Sequence, residues 1–262
     1  MSTNKKAVSN SQENQLVLID MEAEASSGFE SMGQDDLVMP FLRILQSNSP
    51  QIDDDAPEYI KGAKAGMFIN TATREVYEGP IYIVPCAYQR TFIEWVPQTE
   101  GGGFVGMMDQ AQALGLPRDD HGRYISEAGN HVMDTRNHYV LLVVDEDDIQ
   151  PVIMSLKSTQ IKKSRAWNSL ARSLKTTGKN GKFTPPLYSQ YYALTTVGEQ
   201  NESGSWKGVQ IEHHGEVESP DVYRQAKEFN EIVNSGKAKV DYANEEDGVS
   251  SVSNDSDSDD SF

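Results

Sequence analysis

The strongest constraint on the fold is a pair of apolar runs of strand length, HYVLLVVDED (138–147) and IQPVIMSLK (149–157), joined by an acidic turn at Asp145–Asp148. β-Branched residues on both sides of a turn predict a hairpin. A stretch without any acid follows at once. From Lys157 to Lys182 the chain carries Lys157, Lys162, Lys163, Arg165, Arg172, Lys175, Lys179 and Lys182, and no Asp or Glu. Ile161, Trp167, Leu170, Ala171 and Leu174 fall at helical spacing within it, predicting an amphipathic helix directly after the central hairpin. TTGKNGKF then reads as a mobile loop by its Gly and Asn content.

The flanking sequence is also β-rich. GMFINTATREVYEGPIYIVPCAYQRTFIEWVP (66–97) predicts strands near 66–70, 80–88 and 90–96. Residues 98–137 lose periodicity, are rich in Gly, and read as a long loop insertion of the kind that covers or binds. A second hairpin is expected from 187–200 and 205–217. SPDVYRQAKEFNEIVNSGK predicts a helix with Ser219 as cap, Pro220 in its first turn and Val222, Ala226, Phe229 and Val233 on one stripe. The expected class is β-rich α+β, with a basic helix after the central hairpin and a C-terminal helix. Its parts are a disordered acidic arm (1–36), a folded domain (37–240) and a disordered acidic tail (241–262).

Charge decides what kind of partner such a chain can take. The net charge is −17, yet residues 1–60 hold eleven acids against three bases and residues 241–262 hold eight acids and no base. The body between them is close to neutral, so the acidic total does not argue against nucleic acid. The basic run points to a polyanion, although a solvated helix face would carry the same residues. The sole cysteine, Cys86, lies in an apolar run and reads as a buried thiol. No signal-like or membrane-length apolar segment occurs, so a cytoplasmic protein without membrane contact is expected.

Unpaired bases stack on aromatic rings while lysines and arginines follow the phosphates. Tyr191, Tyr192, Trp206 and Lys207 on the second hairpin therefore join the basic run as candidate single-strand contacts, with Arg74 and Arg90 as weaker ones. Trp167, on the apolar stripe, reads as an anchor instead. Enzyme and metal chemistry find little support, and no cofactor is expected. Asp53, Asp54 and Asp55 read as a solvated turn beside Pro57, and adjacent His213 and His214 face opposite ways in a strand. His121, His131 and His138 lack ligands at metal spacing. Glu94, Asp109, Asp119 and Asp120 form the sort of acidic foursome that any acidic protein offers.

The end of the chain, NDSDSDDSF, is acidic and closes on an aromatic residue. A terminal ring can enter an apolar pocket while Asp255, Asp257, Asp259, Asp260 and the carboxylate of Phe262 meet basic groups around it. With a small Greek-key barrel expected from the strand pattern, the chain resembles the podovirus single-stranded DNA-binding proteins of the gene 2.5 type. The resemblance is carried by the tail and the overall architecture. It implies an OB-like barrel that protects single-stranded DNA during replication and recombination. It also implies a homodimer, and a tail that recruits DNA polymerase and helicase-primase and competes with DNA. The alternatives are a recombination or annealing mediator, or a protein-only phage module.

Overall fold

The computed structural model describes residues 38–243 except 121 and 203, together with 27, 28, 30 and 31. In chain order the strands and helices are β1 (Leu42–Ile44), β2 (Phe68–Asn70), β3 (Val76–Tyr77), β4 (Ile81–Trp95), β5 (Phe104–Met108), α1 (Gln110–Leu114), β6 (Tyr124–Ile125), β7 (His131–Val143) and β8 (Ile149–Lys157). They continue with α2 (Ile161–Ser173), β9 (Thr176–Gly178), β10 (Gly181–Phe183), β11 (Gln190–Asn201), β12 (Gly204–Glu216) and α3 (Pro220–Asn234). This is the β-rich α+β class expected, with one helix after the central hairpin and another near the end of the described chain.

The long strands lie in the order β12-β11-β4-β7-β8, all antiparallel. Alternation gives the sheet two apolar faces. Val140 and Leu142 join Ile83, Val152, Leu194 and Val209 in an inner core, whereas Tyr139 and Leu141 point outward. A bulge between Pro85 and Ala87 accommodates a proline that has no N–H to give the ladder. Strand pairing therefore continues past it: the two strands expected at 80–88 and 90–96 are one.

Helix α3 covers the outer face. Val222, Ala226, Phe229 and Val233 are its buried residues, packed with Val84, Cys86, Tyr139 and Leu141. Burying each of the larger side chains is worth roughly 1.5–3 kcal/mol over leaving it in water. Ser219 caps the helix by accepting from the Val222 N–H. Tyr242 completes this layer: its ring contacts Phe41 and Phe104, and the Asn137 side-chain amide donates to its hydroxyl at 2.6 Å. The acidic tail therefore begins after a buried anchor, not at 241.

The inner face curls into a barrel whose last gap is closed by side chains. β1 runs beside β8, with Ile153 donating its N–H to the Pro40 carbonyl at 2.9 Å. Just past β1, the Gln46 amide pairs with both backbone groups of Lys207 on β12, at 3.0 and 2.8 Å. Farther along that edge, Gln160 accepts from the Val209 N–H and Lys163 donates to the Val209 carbonyl at 2.6 Å. Three side chains thus satisfy the backbone groups that Lys207 and Val209 present on the outer edge of β12. Trp167 of α2 fills the barrel beneath them, stacked on His138 at 4.2 Å and edge-on to Tyr192 at 5.5 Å.

β4 and β7 outrun the barrel, and their distal halves need cover. This is why 98–137 is not a loop. It holds β5, α1, β6 and the first half of β7, with Phe92, Ala113, Tyr124 and Val132 forming a third small core. Asp109 caps α1 by accepting from the Ala111 N–H at 2.8 Å. The apolar positions here are few and spaced by Gly, so the alternation is diluted. TTGKNGKF likewise departs from expectation, forming the β9–β10 hairpin around Lys179 and Asn180, with Gly181 at φ +107°.

Candidate nucleic-acid interface

Helix α2 sorts its residues by what packs beside it. Ser164 and Trp167 are buried, and Ser164 Oγ lies 2.8 Å from His138 Nε2. Ala171 packs against the same core, but Leu170 is 36% exposed and the helix ends before Leu174. The apolar stripe is narrower than the spacing suggested. Lys162, Arg165 and Arg172 are exposed.

Lys163 is not an available phosphate contact. Its ammonium is ion-paired with Glu199 as well as bonded to Val209. Burial would raise the Glu199 carboxyl, but hydrogen bonds from Lys163, Gln160 and Trp206 outweigh it and hold the group below the usual carboxylate range. Lys157 lies with its ammonium 5.7 Å from the centre of the Trp95 ring.

The β9–β10 hairpin carries the rest of the run. Lys179 and Lys182 are exposed, and Lys175 reaches Thr184 at the hairpin base. Beside them stands an aromatic that sequence reasoning missed: Phe183, 48% exposed, with its ring against Gly178. A Cβ at position 178 would come within 2.9 Å of that ring, so glycine is what lets it approach so closely. Phe183 and the two lysines line a shallow cavity of about 310 Å³. The sequence signal for it is an aromatic at the end of a basic Gly-Lys run, masked by the loop-like Gly and Asn content of the segment.

The second hairpin divides its candidates. Tyr192 is fully buried inside the barrel and cannot offer its ring to a base, which corrects the expectation for that residue. Tyr191 is half-buried against the outer core. Trp206 donates to Glu199 at 2.7 Å, and with Lys207 it lines a cleft of about 500 Å³ that also takes in Ser47 and Gln200.

On the β4–β7 ribbon, Arg90 makes two hydrogen bonds to Asp134, at 3.0 and 2.6 Å, and Arg136 adds a third at 2.9 Å. Arg136 also donates to the Tyr88 hydroxyl at 3.0 Å. The neighbouring His138 imidazole is buried and beside Arg136, which pushes its pKa down to about 3. Asp134 and Arg136 were legible only as alternate residues of HVMDTRNHYV, inside a segment read as a loop.

The remaining candidates are placed as follows. Arg74 donates to the Glu58 carbonyl. Asp53, Asp54 and Asp55 are exposed on a turn, and the Asp55 N–H donates to the Asp53 carboxylate. His213 packs on Tyr192 and His214 on Tyr82, on opposite sides of β12. Asp109 is spent as a cap, Asp119 pairs with Arg123, and Glu94 accepts from Asn130. His121 lies outside the described residues. So do Asp255, Asp257, Asp259, Asp260 and Phe262. Burial pushes the Cys86 thiol well up, leaving it un-ionised.

A family model for Pam3 phage gp34-like proteins matches residues 9–239. The chain belongs to the Pam3 phage gp34-like family. That match spans β1 to α3 and so includes the basic helix and the β9–β10 hairpin. No curated protein and no solved structure matches the chain. Among the described residues, no helix is long and apolar enough to cross a membrane.

Proposed function

We propose that this phage protein binds single-stranded DNA without catalysis, the strand running over α2 and the β9–β10 hairpin. One observation carries the reading. The acid-free run from Lys157 to Lys182 folds into a helix and hairpin that leave Lys162, Arg165, Arg172, Lys179 and Lys182 exposed, with the Phe183 ring among them. Cations there meet phosphates, and the ring offers a base its face. The strand order supports it too. Numbering the long strands one to five, the order five-four-one-two-three with a helix between three and four suits a barrel of the OB type, a frequent oligonucleotide binder. The outer face of strands one and two is covered here by α3, through Val84, Cys86, Tyr139 and Leu141. The exposed cations of the run lie instead on the basic helix and the hairpin.

In this proposal the tail from Asp255 to Phe262 competes with DNA for the basic surface and recruits replication proteins, as the gene 2.5 resemblance implies. A second reading, a protein-only phage module, is favoured by the outer strand β5, where Val105 and Met107 (65% exposed) stand in solvent. The test is fluorescence anisotropy of a labelled thymidine oligomer and of duplex, across salt, with the full chain and with residues 244–262 deleted. That truncation keeps Tyr242 in place. Five phosphate contacts give a slope of about −3.5 in log affinity against log salt. Preference for the single strand, strengthened without the tail, is the expected result. Absence of binding to either nucleic acid in both proteins rejects the proposal in favour of the protein-only reading.

A further inference from the structure

Midway along the β4–β7 ribbon, Arg90 and Arg136 are direct cross-strand partners. Like charges so placed repel, and the carboxylate that holds them together, Asp134, is shared between both. Two guanidinium charges against one carboxylate leave one positive charge in excess. Arg136 is the deeper, its side chain only 9% exposed, and its Nε is buried with no hydrogen-bond partner. A buried guanidinium with an idle donor and surplus charge opposes folding. Arg90 is the open one: its side chain is 25% exposed, and its bonds to Asp134 use Nε and Nη2, not Nη1. Its guanidinium carbon lies 4.8 Å from the centre of the Phe92 ring, and the Tyr88 hydroxyl is held beside the pair by Arg136. A positioned guanidinium, a phenol hydroxyl and a surplus positive charge suit a tetrahedral oxyanion.

We propose that Arg90, oriented by Asp134 and backed by Arg136 and Tyr88, binds a phosphate group. The further step, that this is a backbone phosphate of the bound strand, rests on the single-strand reading above. The site adjoins the proposed track. Ser164 fastens α2 to His138, whose cross-strand partner is Tyr88. Helical spacing puts Arg165 and Arg172 on the flank of α2 opposite Lys163, and Lys163 marks the side that faces β12. A strand on the exposed face of α2 would meet Arg90 on leaving it.

The experiment has two arms. In the first, the arginine Nε–H resonances of the isotopically labelled full chain are followed during titration with inorganic phosphate, with chloride at matched ionic strength as the control. In the second, full-length Arg90→Gln is compared with the native protein for thymidine-oligomer binding across salt. Saturable movement of the Arg90 and Arg136 resonances with phosphate alone is expected, and the Arg136 movement is lost in Arg90→Gln. The variant's salt slope should be shallower by about 0.7, one phosphate contact on a single strand. Resonances of Arg90 and Arg136 that phosphate leaves unmoved overturn the site, whatever the DNA result. Phosphate binding with an unchanged salt slope overturns the strand assignment and leaves a site for a free phosphate compound. Phosphate binding by a protein that takes no DNA keeps the site while rejecting the single-strand reading. If Arg90→Gln fails to fold, the titration of the native protein decides.

Discussion

The two halves of the β4–β7 ribbon share strands and face across the bulge at Pro85–Ala87, yet one is a barrel wall and the other a charged platform. In the proximal half Ile83 opposes Leu142; in the distal half Tyr88 opposes His138 and Arg90 opposes Arg136. The difference is what packs above them. Trp167 and the barrel interior cover the face as far as His138, and the small core of Phe92, Ala113, Tyr124 and Val132 covers its far end. Between the two lie the arginines and Asp134. A strand's character along one face is therefore set by its cover, and a gap in cover is where charge can reside.

The largest test removes the cover. Trp167→Ala takes away a buried ring that touches His138 and Tyr192, and should cost about 3–5 kcal/mol in urea denaturation. A cost under about 1 kcal/mol would mean that α2 is an appendage and that the proximal half closes without it.

The boundary residue His138 sharpens the comparison by pH. Its imidazole is protonated near pH 6.5 in the unfolded chain but only near about 3 when folded. Between those values the unfolded state binds more protons, so stability is full above pH 6.5 and falls as pH drops. The slope is up to about 1.4 kcal/mol per unit. From pH 6.5 to 5 the expected loss is about 1.6 kcal/mol, before most carboxylates titrate. His138→Asn should flatten that part of the stability profile. An unchanged slope in the variant would show that His138 is solvated and that the cover stops earlier.

What could be foreseen from sequence follows the same division. Periodicity marked β8, the helix after it, the β11–β12 hairpin and α3, because each buries a regular stripe against a large partner. It failed between 98 and 137, where the partner is a small core of four buried residues and short elements carry the packing. It also could not distinguish Lys162 from Lys163. Both are basic helix positions, and only the position of β12, a long-range feature, draws Lys163 to Glu199 and Val209. Tyr191 and Tyr192 lie on opposite faces, as alternation requires, but which face lies inside the barrel depends on closure.

Lys163→Met isolates that long-range role. It retains much of the stem's packing and removes the ion pair and the bond to the β12 edge. Both partners are about a quarter exposed, so solvent screening limits the loss to about 1 kcal/mol. Thermal unfolding of the variant should show a lower midpoint, with the loss of β12 edge protection visible by hydrogen exchange at Lys207 and Val209. Unchanged exchange there would mean that Gln46 and Gln160 seal the edge alone.

The smallest expected effect is at Arg165, two residues along the same helix and exposed. Arg165→Ala should change stability by less than about 0.5 kcal/mol, since an exposed helical site away from the core contributes little and alanine is the better helix former. If it nevertheless weakens single-strand binding and lowers the salt slope, the exposed flank of α2 works on a ligand while the Lys163 flank works on the barrel. If it destabilises as much as Lys163→Met, the two flanks do the same job and the basic run is structural throughout. Measuring both variants in one denaturation series makes that distinction independent of knowing the ligand, because the contrast lies in stability and needs no binding partner to be read.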